Sequence, residues 1–131
     1  MESAYCLTIP KINLLNQLAV KKDSNNAVDE HIREVTAYNV GDPKQNYGNP
    51  CISANGENIC AALNKGLRRC AANFVPFGTK LSIERFGFCT VTDRMNKRYK
   101  NRVDIAMKPN EKQRALRFGL KRLKVKIINL K

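Results

Sequence analysis

The chain has 131 residues, a length that suits one domain with a single hydrophobic core. Hydrophobic residues make up 43% of the sequence and charged residues 27%, so the composition excludes an intrinsically disordered chain. No apolar run approaches the ~20 residues of a membrane-spanning helix. We therefore expect one folded domain without a transmembrane segment.

The formal net charge is +13, and most of it lies in the C-terminal third. Residues 93–131 contain 14 Lys and Arg against 3 acids, a net of +11, which leaves +2 for residues 1–92. Such a concentration attracts polyanions, among them nucleic acid, anionic cell-wall polymers, lipopolysaccharide and acidic membranes. Alternatively, these cations only solvate the outer faces of strands and a helix.

The N-terminal residues 1–32 are predicted to be an appendage and linker, and residues 33–131 to be the domain. An apolar segment from Ile12 to Val20 precedes the polar run of residues 21–26, which has the composition of a linker. Residues 1–18 lack a basic region followed by an apolar stretch, as an export signal requires. We expect that the chain follows a leader that has been removed.

Four cysteines, Cys51, Cys60, Cys70 and Cys89, are separated by nine, ten and nineteen positions. They contain no C-x-x-C motif, and the sole histidine, His31, lies far outside the cluster, so disulfides are favoured over zinc. Four cysteines allow three pairings. Two disulfides indicate an oxidising compartment, so we expect a secreted or periplasmic protein that needs no metal or cofactor.

Short apolar runs broken by Gly, Pro and Asn begin at Arg33 and are typical of β-strands. They predict strands at 33–38, 80–83, 88–92, 102–106 and 123–129, with a sixth at 70–74. Before the last strand, Asn110 and Gln113 predict a helix with a capping box, and Gly119 predicts its end. Many short strands with one inserted helix suggest a small closed barrel.

Two isolated aspartates, Asp93 and Asp104, are each attached to a β-type run. Side chains two apart in a strand share a face. Val91, Val103 and Ile105 can therefore point into a core while the two aspartates project together elsewhere. This pattern predicts two carboxylates beside one groove.

Several short motifs follow one another between Val35 and Ile128: Thr36-Ala37-Tyr38, Ser53-Ala54-Asn55-Gly56, Val75-Pro76-Phe77-Gly78-Thr79, Asp93, Arg102-Val103-Asp104, and Phe118-Gly119 before Leu123-Lys124-Val125. In order and spacing they resemble the 3D domain, a family named for three aspartates and found in lytic transglycosylases and stationary-phase survival proteins. The resemblance implies a mainly β fold, a six-stranded double-psi β-barrel like that of expansins and rare lipoprotein A-like proteins.

The resemblance also implies a site and an activity. Asp104 takes the position of the family's catalytic acid, and Asp93 lies beside it in the sugar groove. The expected reaction is cleavage of peptidoglycan glycan strands to give 1,6-anhydro ends. We expect the substrate to contact residues of the first strand, of the turn and of the basic loop: Tyr38, Ser53, Asn55, Arg94, Lys97 and Arg102.

The sequence departs from the family pattern in three ways, one of which is the presence of four extra cysteines. Ala71 stands near the first family aspartate, and the bulky, cationic residues 95–101 replace a glycine-rich loop. That loop either fills the groove or places Lys97 and Lys100 against substrate carboxylates. An ion pair between Arg102 and Asp104 that merely ties the barrel together is the alternative to catalysis.

Two other function classes remain beside the enzyme. The first is a secreted barrel that binds anionic glycan without cutting it, as expansins loosen polymers. The second is nucleic-acid binding through the basic surface, which the cysteines disfavour because nucleic acid is scarce outside the cell. We expect a monomer whose partner is peptidoglycan or another anionic cell-wall glycan.

Overall fold

The computed structural model describes residues 29–45 and 48–128. Within these ranges the chain forms six strands and two short helices. Residues 1–28 of the predicted appendage, which include Cys6, lie outside the described residues. No helix in the described ranges combines the length and the apolar character that crossing a membrane demands.

The six strands close into a barrel in the order β1-β5-β2-β4-β3-β6. The predicted fold class, a mainly β protein with a six-stranded barrel and a helix before the last strand, is confirmed. The elements in chain order are β1 (Asp29–Asn39), α1 (Ile59–Asn64), β2 (Arg69–Ala72), β3 (Lys80–Ile83), β4 (Gly87–Asp93), β5 (Val103–Met107), α2 (Lys112–Phe118) and β6 (Lys121–Ile128).

Two of the six strand pairs are parallel, β1 with β5 and β2 with β4, and the other four are antiparallel. Parallel neighbours cannot be joined by a tight hairpin, so the chain must cross the barrel between them. Crossing connections of this kind are a feature of the double-psi barrel that the sequence led us to expect.

The barrel interior is filled by aliphatic side chains at alternating strand positions. Six of the most deeply buried residues are Val35, Leu81, Val91, Val103, Ile105 and Val125, each at most 1% exposed. A second apolar cluster lies on the outside of the barrel, where Ile59 and Leu63 of α1 pack with Tyr38, Ala71 and Ala106. Helix α1 thus covers part of the outer face of the sheet.

The main differences between the predicted and the observed elements concern β1, α1 and α2. Strand β1 begins at Asp29, four residues before the predicted start at Arg33. Helix α1 was not predicted at all, although Asn58 caps it by accepting a hydrogen bond from the Ala61 N–H. For α2 the predicted capping box at Asn110 and Gln113 is wrong, because the cap is Glu111 and makes no side-chain capping bond.

Cys51 pairs with Cys60, and Cys70 pairs with Cys89. Of the three pairings that the sequence allows, this one joins the first of the four cysteines to the second and the third to the fourth. The second disulfide lies in the core and ties β2 to β4. The prediction of two disulfides among these four cysteines is confirmed.

Truncating a core side chain should destabilise the barrel far more than truncating an exposed one. Leu81→Ala removes a side chain that is 0% exposed, and we expect it to lower the free energy of unfolding by about 2–5 kcal/mol. Leu116→Ala, at a position 64% exposed, is the matched control and should cost less than about 1 kcal/mol. Urea denaturation of both variants measures the difference. Equal effects would contradict this description of the core.

Candidate functional site

The two aspartates come together because strand β2 lies between the strands that carry them. Ala71 of β2 is paired with Asp104 of β5 on one side and with Asp93 of β4 on the other. Neighbouring strands are about 4.8 Å apart, so the two aspartate Cα atoms are separated by roughly 10 Å. The small Ala71 side chain leaves space between the carboxylates.

Asp104 projects from the barrel because it alternates with Val103 and Ile105, which point inward. Asp93 reaches the same outer face by a different route. The derivation of this projection from simple alternation was wrong for Asp93, because this residue lies two positions after the buried Val91 and alternation alone would turn it inward. The pairing of β2 with β4 shifts register at this point, with Cys70 opposite Val91 and Ala71 opposite Asp93. This bulge turns Asp93 outward, and bulges are common beside active sites.

Both carboxylates line one open cavity of about 410 Å³. Its walls come from β1, β2, the end of β4, β5 and two loops. The lining residues are Tyr38, Gln45, Ile52, Ala54, Ala71, Asp93, Arg94, Met95, Asn96, Tyr99 and Asp104. The volume lies in the range of typical small-ligand sites. The cationic loop forms one wall of this cavity and does not fill it.

Asp104 is held by one side chain of the neighbouring parallel strand. Thr36 lies opposite Asp104 in the β1–β5 register, and its hydroxyl donates a 2.9 Å hydrogen bond to Asp104 Oδ1. The pKa of Asp104 is raised from its usual 3.8 to about 6, and burial is the main cause. The Thr36 hydrogen bond and the charge of Arg102 act to lower this pKa, and the charge of Asp93 acts to raise it. Asp104 therefore carries a proton in mildly acidic solution.

Asp93 is in a different environment, because both of its oxygens accept hydrogen bonds. The Tyr38 hydroxyl donates to Oδ2 at 2.8 Å, and the backbone N–H groups of Ala54 and Arg94 donate to Oδ1 at 2.9 and 3.0 Å. Burial, followed by the negative charge of Asp93, raises the pKa of Tyr38, so this phenol stays a donor. Three donors thus surround the Asp93 carboxyl group.

The backbone donor Ala54 belongs to the tight turn predicted at residues 53–56. Gly56 has φ of 92°, a value that glycine adopts without strain, and its N–H donates to the Ser53 carbonyl. The Asn55 N–H donates to the carbonyl of Thr92, which docks the turn on the end of β4. The predicted turn is confirmed, and its docking brings the Ala54 N–H to Asp93.

The basic loop between β4 and β5 is held by Asn73, which follows β2. The Asn73 amide donates to the carbonyls of Met95, Asn96 and Tyr99 at 2.9–3.2 Å, and its oxygen accepts from the Met95 N–H. Because a single side chain satisfies four backbone groups, the loop has a defined conformation. This conformation gives the cavity its wall of Met95, Asn96 and Tyr99.

The structure distributes the predicted substrate-binding residues over several places. Tyr38 and Arg94 line the cavity with the aspartates. Ser53 and Asn55 hold the turn together, since the Ser53 hydroxyl donates to Asn55 Oδ1 at 2.7 Å, and neither lines the cavity. Lys97 lines an adjoining depression together with Asn73, Arg94, Met95 and Lys100.

Arg102 makes an ion pair with Glu34 at 2.7 Å and lies outside the residues that line the carboxylate cavity. Glu34 precedes Arg102 by 68 positions. This contact shows a carboxylate partner for Arg102 other than Asp104, whose oxygen Oδ1 accepts from Thr36. The charge of Arg102 still lowers the pKa of Asp104, but burial outweighs it.

Sequence reasoning missed three groups that build the site: the Thr36 hydroxyl, the Ala54 N–H and the Asn73 amide. Thr36 belongs to Thr36-Ala37-Tyr38, the first motif of the family resemblance, and its place in this motif could have identified it as a site residue. The Ala54 N–H is a backbone group and has no signature of its own. Asn73 acts on a loop 22–26 residues away.

No protein-family model matches the sequence, and no curated protein matches it either.

The raised pKa of Asp104 predicts a pH dependence of stability. The folded protein keeps this proton up to about pH 6, whereas the unfolded chain releases it near its usual 3.8. The folded state thus binds more protons in this window, so the contribution of Asp104 to the free energy of unfolding falls as the pH rises through it. Above pH 6.5 we expect Asp104→Asn to be more stable than the wild type by roughly 2–3 kcal/mol.

Urea denaturation between pH 4 and 8 measures this difference, which should shrink at the acid end. Glu30→Gln, at an exposed position of β1, is the control and should leave the pH profile unchanged. In Thr36→Val the hydrogen bond that lowers the pKa is lost, so NMR titration of the Asp104 carboxyl should give a pKa above that of the wild type. If the free energy of unfolding of the wild type and of Asp104→Asn changed with pH in the same way, the raised pKa of Asp104 would be contradicted.

Proposed function

We propose that this protein cleaves the glycosidic bond of peptidoglycan glycan strands as a lytic transglycosylase of the 3D domain type. The observation that carries the proposal is Asp104, a carboxyl group with a pKa of about 6 at the wall of an open cavity. A general acid must be protonated near its working pH. Asp104 meets this condition in mildly acidic solution.

The chemistry needs one carboxyl group that acts twice. The Asp104 carboxyl donates its proton to the glycosidic oxygen as the bond from this oxygen to the sugar C1 breaks. The sugar that carries this C1 is a muramic acid. The resulting Asp104 carboxylate takes the proton of the C6 hydroxyl of this sugar, and the C6 oxygen bonds to C1. The ring closes as a 1,6-anhydro sugar, Asp104 regains its proton, and no water is consumed.

Asp93 has a separate role in this proposal. A glycosidic bond breaks through a transition state with positive charge on the sugar ring. A carboxylate in the same cavity stabilises this charge, and Asp93 is held there by hydrogen bonds from the Tyr38 hydroxyl and the Ala54 N–H. The two aspartates thus divide the work as acid and electrostatic stabiliser, because burial raises the pKa of Asp104, whereas Asp93 accepts three hydrogen bonds.

Ala71 fits this division although it replaces a family aspartate. A single acid suffices for ring closure by the C6 hydroxyl, so the loss of a third carboxylate leaves the reaction intact. A methyl side chain between Asp93 and Asp104 also keeps the cavity floor open. In this chain Ala71 therefore contributes to the shape of the cavity and not to its acid groups.

A binding module that does not cut glycan is the second candidate. Lys97 and Lys100 line the depression that adjoins the carboxylate cavity and shares Arg94 and Met95 with it. These ammonium groups suit the carboxylates of muramic acid and of peptide stems. For either function we propose a secreted or periplasmic protein, which the two disulfides favour.

Clearing of a purified peptidoglycan suspension tests the enzymatic function against the binding module. We expect the wild type to lower the turbidity, and Asp104→Asn to reduce the rate at least 10²-fold, since removal of a general acid typically costs 10²–10⁴-fold. Asp29→Asn makes the same chemical change at an exposed site and should clear at the wild-type rate. No clearing, or equal clearing by wild type and Asp104→Asn, would rule out the proposed acid.

Sedimentation with insoluble peptidoglycan separates loss of binding from loss of chemistry. Asp104→Asn should still bind, because Lys97, Lys100 and Arg94 are unchanged. Binding by the wild type without any clearing would select the binding module.

A further inference from the structure

A second cavity, of about 430 Å³, lies beside the carboxylate cavity and shares the side chain of Tyr99 with it. We call it the cationic cavity. It is formed by β1, the start of β6 and the end of the basic loop. Its lining residues are Ile32, Arg33, Glu34, Arg98, Tyr99, Lys100, Asn101, Arg102 and Arg122. Five of these carry positive charge and one carries negative charge.

The single carboxylate leaves most of this charge uncompensated. Glu34 makes its ion pair with Arg102 and lies opposite Arg122 in the antiparallel register of β1 and β6. One negative charge cannot neutralise two cations, and three further cations line the same cavity. Gathering like charges around one concavity costs free energy, and it creates a positive potential that attracts an anion.

Contacts with aromatic rings hold three of the guanidinium groups in place. Arg33 lies over Phe74 at 3.8 Å from the ring centroid, and Arg102 and Arg98 lie over Tyr99 at 4.2 and 4.8 Å. The Arg98 Nη2 also donates to the Tyr99 hydroxyl at 2.8 Å. Donors that are already oriented lose less conformational entropy when an anion binds.

Arg33 is the most unusual residue of the cavity. It shares the inward face of β1 with the core residue Val35, and its Nε is buried without a hydrogen-bond partner among the described residues. Burial lowers the pKa of Arg33. The Arg33 Nη1 donates to Asn101 Oδ1 at 3.4 Å, and an anion in the cavity attracts this guanidinium through its charge.

We propose that the cationic cavity binds a phosphate group carried on a polyol or sugar polymer. Each phosphodiester of such a polymer carries one negative charge at neutral pH, whereas free inorganic phosphate carries between one and a half and two. The cations approach from β1, β6 and the basic loop, and such a spread of directions matches the successive phosphates of a polymer better than a single carboxylate. The arginine fork binds phosphate in a bidentate manner.

The polymer is proposed to be a phosphorylated wall polymer and not a nucleic acid, because the cavity offers no ring face for a base. Single-stranded nucleic acid is bound by stacking its bases on aromatic side chains. Among the described residues, Tyr99 is the only aromatic one that lines the cavity, and two guanidinium groups already lie over its ring. The cavity volume also exceeds that of a lone ion and leaves room for the attached polyol.

Titration with defined anions tests the site independently of any cleavage activity. Inorganic phosphate, acetate and poly(glycerol phosphate) are added to the ¹⁵N-labelled protein at low ionic strength, and amide shifts of residues 98–102 are followed. Two double variants with the same change in net charge are compared. Arg98→Gln with Arg122→Gln alters the cavity, and Lys112→Gln with Arg117→Gln alters exposed positions of α2.

The proposal predicts saturable shifts with phosphate, weaker ones with acetate, and tighter binding of the polymer. The cavity variant should raise the dissociation constant for inorganic phosphate at least tenfold, and the α2 variant less than twofold. Absence of saturable shifts, or equal weakening by both variants, would overturn the site. Tighter binding of single-stranded DNA than of poly(glycerol phosphate) would overturn the assignment to a wall polymer.

Discussion

The site depends on the pairing of Ala71 with one aspartate on each side. Strand β2 is held antiparallel to β5 and parallel to β4, which places Asp104 and Asp93 at the same level of the barrel wall. A slip of one residue in either pairing would turn one carboxylate to the opposite face. The Cys70–Cys89 disulfide lies one residue from Ala71 and ties β2 to β4, so a covalent link helps to fix this register.

The difference between the two aspartates arises from their surroundings. Asp93 accepts three hydrogen bonds, two of them from backbone N–H groups, whereas Asp104 accepts one from Thr36 and is otherwise buried. Arg102 lies two residues from Asp104 and opposes its protonation, yet burial has the larger effect on the pKa. Because Glu34 holds the Arg102 guanidinium in an ion pair, Asp104 can serve as an acid beside a cation.

The sequence predicts the barrel better than it predicts the site. Short apolar runs broken by Gly, Pro and Asn predicted the six strands, because such runs are the local signature of buried strands and turns. Helix α1 escaped prediction since six residues are too few to show a helical period. The convergence of Asp93 and Asp104 was predicted, but the bulge that turns Asp93 outward depends on strand pairing. The partners Glu34 and Arg102 are 68 positions apart, and no local pattern links them.

The most direct test of the account is mass spectrometry of muropeptides after incubation of peptidoglycan with the protein. The single-acid mechanism predicts products that end in 1,6-anhydromuramic acid, one water lighter than a reducing end, and predicts that Asp104→Asn forms none. Products with ordinary reducing ends would show that water attacks the sugar, and unaltered glycan strands would show that no bond is cleaved. Either result would contradict a lytic transglycosylase built on Asp104.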